Sequence, residues 1–344
     1  MENFTVIRKL QEVMNQKEEG NMYEALEKEI MNSSLNEDEK TKRISKVLQM
    51  KEKRVNIMLV GTTGAGKSST INALFNMEVA RVGMDVNPET SVIEEYELDN
   101  LTIWDTPGLG DSIEKDKETS ESIVAKLNEK DQEGNLLIDL VVLILDSSSK
   151  DLGMIYKVIN DVLKPCFGDE AEERIIIGLN QADVAMKGKH WKEEENAPDE
   201  VLMEFLSRKA ESIRERVRED CSLDILPICY CAGYVETDKD ERSPYNLSKL
   251  LYYIINLVPA EKRMSVVYNV NPNEDHWLHD DMEAEYSEEI KSSLWETIKL
   301  YSWWGSNEAE EVGEKFLGIP GKYLFAAVGG VFGAVEGFFS GIFG

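Results

Sequence analysis

A run of small residues closed by a lysine and two hydroxyls, Gly61-Thr62-Thr63-Gly64-Ala65-Gly66-Lys67-Ser68-Ser69, has the composition of a loop that wraps a phosphate chain. Its glycines let the main chain curl until successive N–H groups point at a β-phosphate. A helix beginning there adds the partial positive charge of its N-terminus, and Lys67 reaches toward the β- and γ-phosphates. Ser68 supplies a hydroxyl for Mg²⁺. The spacing is a full G-x-x-x-x-G-K-[ST] match lying between a strand-like run, VNIMLV, and a helix-like one. Downstream, Asp105-Thr106-Pro107-Gly108 puts a carboxylate at the tip of an apolar strand, where it can hold Mg²⁺ through water. The Gly108 N–H can bond a γ-phosphate, which makes residues 109–118 sensitive to hydrolysis.

The base is read further along the chain. Asn180-Gln181-Ala182-Asp183 follows the strand-like RIIIGLN, and a carboxylate there accepts hydrogen bonds from guanine N1 and N2, which adenine cannot supply. Asp183 therefore argues for GTP over ATP. The expected ligands are GTP or GDP with Mg²⁺, held by residues 61–69, Asp105, Gly108, Asn180, Gln181 and Asp183.

These residues need a scaffold that brings distant loops to one edge. Short apolar runs at 55–60, 91–98, 101–105, 137–146, 174–180 and 224–232 read as strands, and helical patterns at 67–76, 113–130, 151–164, 198–219 and 246–258 alternate with them. That alternation predicts a three-layer α/β/α domain with a mostly parallel sheet, because parallel neighbours need crossovers. The expected organisation is a helical N-terminal segment, 1–53, a nucleotide-binding domain, 54–263, and a helical C-terminal segment, 264–344.

The chain has 344 residues and a formal net charge of −28, from 38 Lys+Arg and 66 Asp+Glu. The excess lies after residue 54, and such a surface repels phosphate backbones, so broad nucleic-acid binding is not expected. Cys166, Cys221, Cys229 and Cys231 are too few for a disulfide framework and read as reduced, mostly buried thiols. The start, MENFTVIRKL, has no apolar run behind a basic beginning, which makes the cytoplasm the expected location.

With these elements in this order, residues from about 53 to 262 resemble the translation-factor-related (TRAFAC) class of P-loop GTPases. The Asp105-Thr-Pro-Gly108 form and the run Asn87-Pro-Glu-Thr90 look like Era and TrmE relatives. The run from Gly61 to Ser69 is also close to septins and immunity-associated GTPases, and the Asn180-to-Asp183 element is similar to bacterial YfjP/YeeP-type GTPases. The resemblance implies GTP hydrolysis. It makes Thr90 the switch threonine that completes the Mg²⁺ shell, with Ser91 competing for the role, and groups Thr90 with Lys67 and Gly108 as catalytic. It also implies that Cys231 and Ala232 stand in a base-contacting loop, the Ala232 N–H meeting guanine O6. Three departures matter. Gln181 replaces the usual Lys, whose stem covers the base. Leu109 stands where some small GTPases have a water-orienting Gln, so hydrolysis alone should be slow. Gly64 stands where potassium-activated relatives have Asn. Activation in trans, by a second copy or a separate partner, is the expectation that remains. A non-catalytic GTP-dependent scaffold and an ATPase are the competing readings.

The end of the chain is unusual. Residues 323–344 carry one charge, Glu336, and as one helix would extend about 33 Å, enough to cross a bilayer core. Gly329, Gly333, Gly337 and Gly341 would line one face, letting another helix approach closely. Two readings follow: the tail meets a membrane or a helix partner, or it folds onto the domain or remains a flexible end. His276-x-x-His279 with Asp280-Asp281 reads as an acidic loop, because no further ligands are arranged around it.

Overall fold

Val55, Ile57 and Leu59 point to one side of a strand and Met58 and Val60 to the other, and all five are buried. A strand apolar on both faces needs cover on both, and the chain supplies it with helices. The computed structural model describes residues 31, 36–75, 92–110, 112–149, 153–237, 240–290 and 292–293. Residues 1–30 of the expected helical N-terminal segment and the 323–344 tail lie outside the described residues.

The described elements run α1 (Glu37–Glu52), β1 (Val55–Gly61), α2 (Lys67–Leu74), β2 (Glu94–Leu98), β3 (Leu101–Asp105), α3 (Ile113–Leu127) and β4 (Leu140–Asp146). A helical stretch begins as α4 (Gly153–Lys157), widens to a π-helix over Val158–Leu163, and closes as α5 (Lys164–Phe167). After α6 (Ala171–Arg174) come β5 (Ile175–Asn180), β6 (Trp191–Lys192), β7 (Ala197–Pro198), α7 (Glu200–Cys221), β8 (Ile228–Cys229), β9 (Tyr234–Thr237), β10 (Asp240–Arg242), α8 (Leu247–Leu257) and α9 (Arg263–Tyr268). The main sheet has the order β2-β3-β1-β4-β5-β8. All its pairings are parallel except β2–β3, a hairpin turned at Asp99-Asn100 with Asn100 at φ 55°. This is the mostly parallel α/β architecture that the alternation of strands and helices predicts.

Two of the elements that are shorter than the sequence pattern predicts have plain local reasons. The strand expected at 224–232 is confined to Ile228–Cys229. Pro227 has no N–H to give a ladder, and beyond Tyr230 the chain turns to pair Cys231 with Tyr245. The strand expected at 137–146 begins at Leu140, because Asp139 accepts from Asn56 N–H and pairs with Lys262 instead of extending the run.

Each face of the sheet has its own core. Val55, Ile57 and Leu59 pack with Ile71 and Leu74 of α2 and with Leu250, Leu251 and Ile254 of α8. Met58 and Val60 pack with Ile123 and Leu127 of α3 and with Ile213, Val217 and Cys221 of α7. Caps fix where two of these helices start. Ser112 accepts from Lys115 N–H ahead of α3, and Asp199 accepts from Val201 and Leu202 N–H ahead of α7.

The first core does not stop at residue 263. Met264, Val266, Val267, Trp277 and Ile290 belong to the same buried cluster as β1 and α2. Asn271 N–H donates to Leu74 O at 2.8 Å, and Trp277 Nε1 donates to Asn271 O at 2.9 Å. Replacing Trp277 with Ala is therefore expected to lower the unfolding free energy by about 3–5 kcal/mol in urea denaturation. A loss below about 0.5 kcal/mol, typical of a surface change, would mean that this segment is an appendage.

Candidate functional site

Three parallel strands end at one edge of the sheet, and each delivers residues there. β1 runs into the 61–66 loop, β3 ends at Asp105 and β5 ends at Asn180. Leu59 lies opposite Asp105, Gly61 opposite Ile144 and Asp146 opposite Asn180, so the loops leave at similar heights. The chain passes from β1 to β3 on one side and then to β4 on the other. The crevice at such a reversal is where open α/β sheets hold ligands.

Gly66 precedes α2 at φ 86°, and a Cβ there would lie 2.3 Å from Asn180 Nδ2. Both its backbone angle and its crowding require glycine. The neighbour that excludes a larger residue also braces the loop: Asn180 Nδ2 donates to Ala65 O at 2.9 Å, and its Oδ1 accepts from Ala232 N–H at 2.9 Å. Gln181, at φ 61°, donates from Nε2 to Gly64 O at 2.8 Å. The Ala232 N–H that the sequence reading reserves for guanine O6 is thus directed at Asn180.

Lys67 is 8% exposed, and its Nζ donates to Gly61 O and Thr62 O, each at 3.4 Å. These are long bonds to neutral carbonyls, which a phosphate oxygen would outbid with shorter, charge-assisted ones. Next to it, Ser68 Oγ donates to Asp105 Oδ2 at 2.9 Å. Asp105 is 1% exposed, and its Oδ1 is buried without a hydrogen-bond partner among the described residues. Burial pushes this carboxyl above its ordinary range, while the Lys67 charge and the Ser68 hydroxyl pull it down. An orphaned buried carboxylate oxygen is costly, and a hydrated divalent cation beside it offsets that cost. A hydroxyl and a carboxylate are the oxygen donors Mg²⁺ takes in nucleotide sites, so the residues present fit the ion. Thr90, the third expected metal contact, lies outside the described residues, as does Ser91.

The segment after Asp105 closes on the loop. Leu109 N–H donates to Gly61 O at 3.1 Å, Thr63 N–H donates to Leu109 O at 3.0 Å, and a Cβ on Gly108 would meet Thr63 Oγ1 at 2.3 Å. Leu109 is 2% exposed and belongs to the second core, so its side chain is turned away from the crevice.

Asp183 lies just past β5, 3% exposed. Its Oδ1 accepts from Cys231 Sγ at 3.2 Å and its Oδ2 from Arg242 Nη1 at 2.5 Å. Arg242 and its second partner, Glu193, are absent from the sequence reading. No spacing rule links the end of a short hairpin to a carboxylate 59 positions earlier. A cavity of about 210 Å³ opens beside them, lined in part by Ser69 and Asn72 of α2 and by Ala232, Gly233, Tyr234 and Arg242.

Two histidines, one of them in the acidic loop set aside earlier, have local partners. His276 Nδ1 donates to Ala73 O at 3.0 Å, and His190 Nδ1 pairs with Asp199 Oδ2 at 2.8 Å. Among the described residues no group of three or more His, Cys, Asp and Glu could hold a metal ion, and no helix is long and apolar enough to cross a membrane. All four cysteines are free thiols, and burial pushes that of Cys229 up to about 12.

The glycine-rich loop with Lys67, and the Ser68–Asp105 pair beside it, are the parts of a P-loop nucleotide site. Residues 55–221, just under half of the chain, match the family model described as AIG1 family. Septin-12 of Rattus norvegicus is 40% identical over 74 residues, covering 18% of this chain and 21% of that protein. Septin homolog spn2 of Schizosaccharomyces pombe is 30% identical over 100 residues, covering 25% and 30%. The chain thus spans less than a third of the length of these curated relatives. Among solved structures, Toc33 from Arabidopsis thaliana in complex with Mg²⁺ and GMPPNP is similar with a TM-score of 0.39 and 18% identity, covering 66% of this chain and 87% of that one.

Proposed function

We propose that the chain binds GTP with Mg²⁺ and hydrolyses it to GDP and phosphate, slowly when alone, as a nucleotide-dependent switch. The observation that carries this reading is the Ser68–Asp105 contact, 2.9 Å long, with the second Asp105 oxygen buried and orphaned next to it. The bound ion supplies positive charge against the developing charge on the phosphates. In this reading the N–H groups of the 61–66 loop and Lys67 hold the phosphates, Asp183 accepts from guanine, and Asn180 and Gln181 keep the loop in shape. Gly108 and Thr90 are the switch positions. Kinship with YfjP/YeeP-type proteins rests on the Asn180-to-Asp183 run alone.

The burial of Leu109 bears on rate. With its side chain in the core, position 109 cannot align a water molecule, so alignment falls to backbone groups and to a residue supplied in trans. Single-turnover hydrolysis measured across protein concentration tests this. The rate constant is expected to rise with concentration, as self-association brings the activating residue. The same burial favours a second reading, a GTP-dependent scaffold with incidental turnover, and a flat, negligible rate would support it. An ATPase is disfavoured by Asp183, which adenine leaves unpaired.

For residues 323–344 the proposal is a membrane or helix contact that brings a cytoplasmic protein to a surface. Cosedimentation with liposomes of the full chain, and not of a chain ending at Pro320, is the expected result. Both remaining in the supernatant with and without GTP would remove it.

A further inference from the structure

The carboxylate that would select guanine already holds a group shaped like guanine. Arg242, the last residue of β10, donates from Nη1 to Asp183 Oδ2 at 2.5 Å, and from Nη2 to both oxygens of Glu193 at 2.6 Å. Cys231 Sγ takes the other oxygen of Asp183. The guanidinium carbon lies 5.7 Å from the ring centres of Trp191 and of Tyr234. A guanidinium is a planar N–C–N array with N–H bonds fanned in its plane. The N1–C2–N2 edge of guanine is the same array. Arg242 places one N–H on Asp183 Oδ2, a position that a donor of the guanine edge could take in its stead.

The mounting of Arg242 suits exchange. β9 and β10 form a two-stranded sheet of their own, outside the six-stranded one, so Arg242 can withdraw without breaking the ladder that positions the P-loop. Its side chain forms part of the wall of the 210 Å³ cavity that begins at Ser69, next to the phosphate loop. Arg242 thus reaches both that cavity and Asp183.

We infer that Arg242 is a built-in guanine surrogate: it satisfies Asp183 while the site is empty and must yield the carboxylate when guanine binds, which sets nucleotide affinity and exchange. This rests on the guanine reading of Asp183. The direction of its effect separates it from a structural role. Without Arg242 the empty site holds a buried, poorly paired carboxylate, whereas the loaded site has it paired by the base, so removal tightens binding. A purely structural arginine would weaken binding when removed.

The test is stopped-flow binding of N-methylanthraniloyl GDP and IDP with Mg²⁺ to the full chain, to Arg242→Ala and to Arg242→Lys. Arg242→Ala is expected to bind GDP roughly tenfold tighter, mainly through faster association. The gain should be smaller for IDP, which lacks the exocyclic amine. Arg242→Lys, which keeps the charge but not the planar pair of donors, should fall between. Free guanidinium, well below denaturing concentration, should erase the gain in Arg242→Ala and leave the unmodified chain unmoved. Unchanged or weaker GDP binding by Arg242→Ala, with the unmodified chain binding normally, overturns the surrogate and leaves the guanine reading intact. Absence of guanine-nucleotide binding by all three chains overturns both.

Discussion

Asp183→Asn is expected to lower GTP affinity about a hundredfold and to make xanthosine triphosphate the preferred ligand. A carboxylate accepts from both N1–H and the C2 amine of guanine, and charge-assisted bonds of this kind are worth about 1.5–3 kcal/mol. Asn keeps one acceptor and turns its amide N–H₂ toward the C2 amine, donor against donor. Xanthine carries an oxygen at C2, so the same amide becomes complementary to it. Competition between the two triphosphates for a fluorescent nucleotide measures the exchange, and an unchanged GTP affinity would mean that Asp183 does not read the base. Because Asp183 also holds Arg242, the double variant Asp183→Asn/Arg242→Ala is the proper comparison. Residues in direct contact do not add, and the deviation measures how far the two share one role.

Lys67→Ala is expected to lower GTP affinity at least a hundredfold, and GDP affinity less, since the γ-phosphate is part of what the ammonium reaches. Its effect on folding should be smaller than on binding, although the buried Asp105 loses the charge that pulls its carboxyl down. The Lys67 bonds to Gly61 O and Thr62 O are 3.4 Å long, and Gly61 O keeps Leu109 N–H as a donor. Thermal melting followed by circular dichroism, run beside the binding titration, distinguishes the outcomes. A variant that binds GTP normally contradicts the phosphate role, and one that melts far below the unmodified chain shows that Lys67 is structural.

The parts of the site that use the main chain were the most legible in the sequence. A loop that must curl around phosphates has to carry glycine at fixed offsets, and Gly66 stands at φ 86° against Asn180, with no space for a Cβ. Alternation within VNIMLV and its neighbours was equally plain, because buried parallel strands are apolar on both faces. The return of the chain after Pro259 was not legible. A 3₁₀ turn, Ala260–Lys262, and a helix of six residues are too short to show a period, yet they carry Met264, Val266 and Val267 into the core beside β1. Arg242 was invisible for a different reason. Its partners Asp183 and Glu193 lie 59 and 49 positions away, joined to it by the path of a small hairpin and by no local pattern.

Isothermal titration of the full chain, stripped of co-purified nucleotide, with GTP, GDP and ATP in the presence of Mg²⁺ tests the central claim most directly. Saturable heat from both guanine nucleotides, lost when the metal is chelated in the GTP titration and absent with ATP, is the predicted result. No heat from either guanine nucleotide, or ATP binding as tightly as GTP, would contradict it.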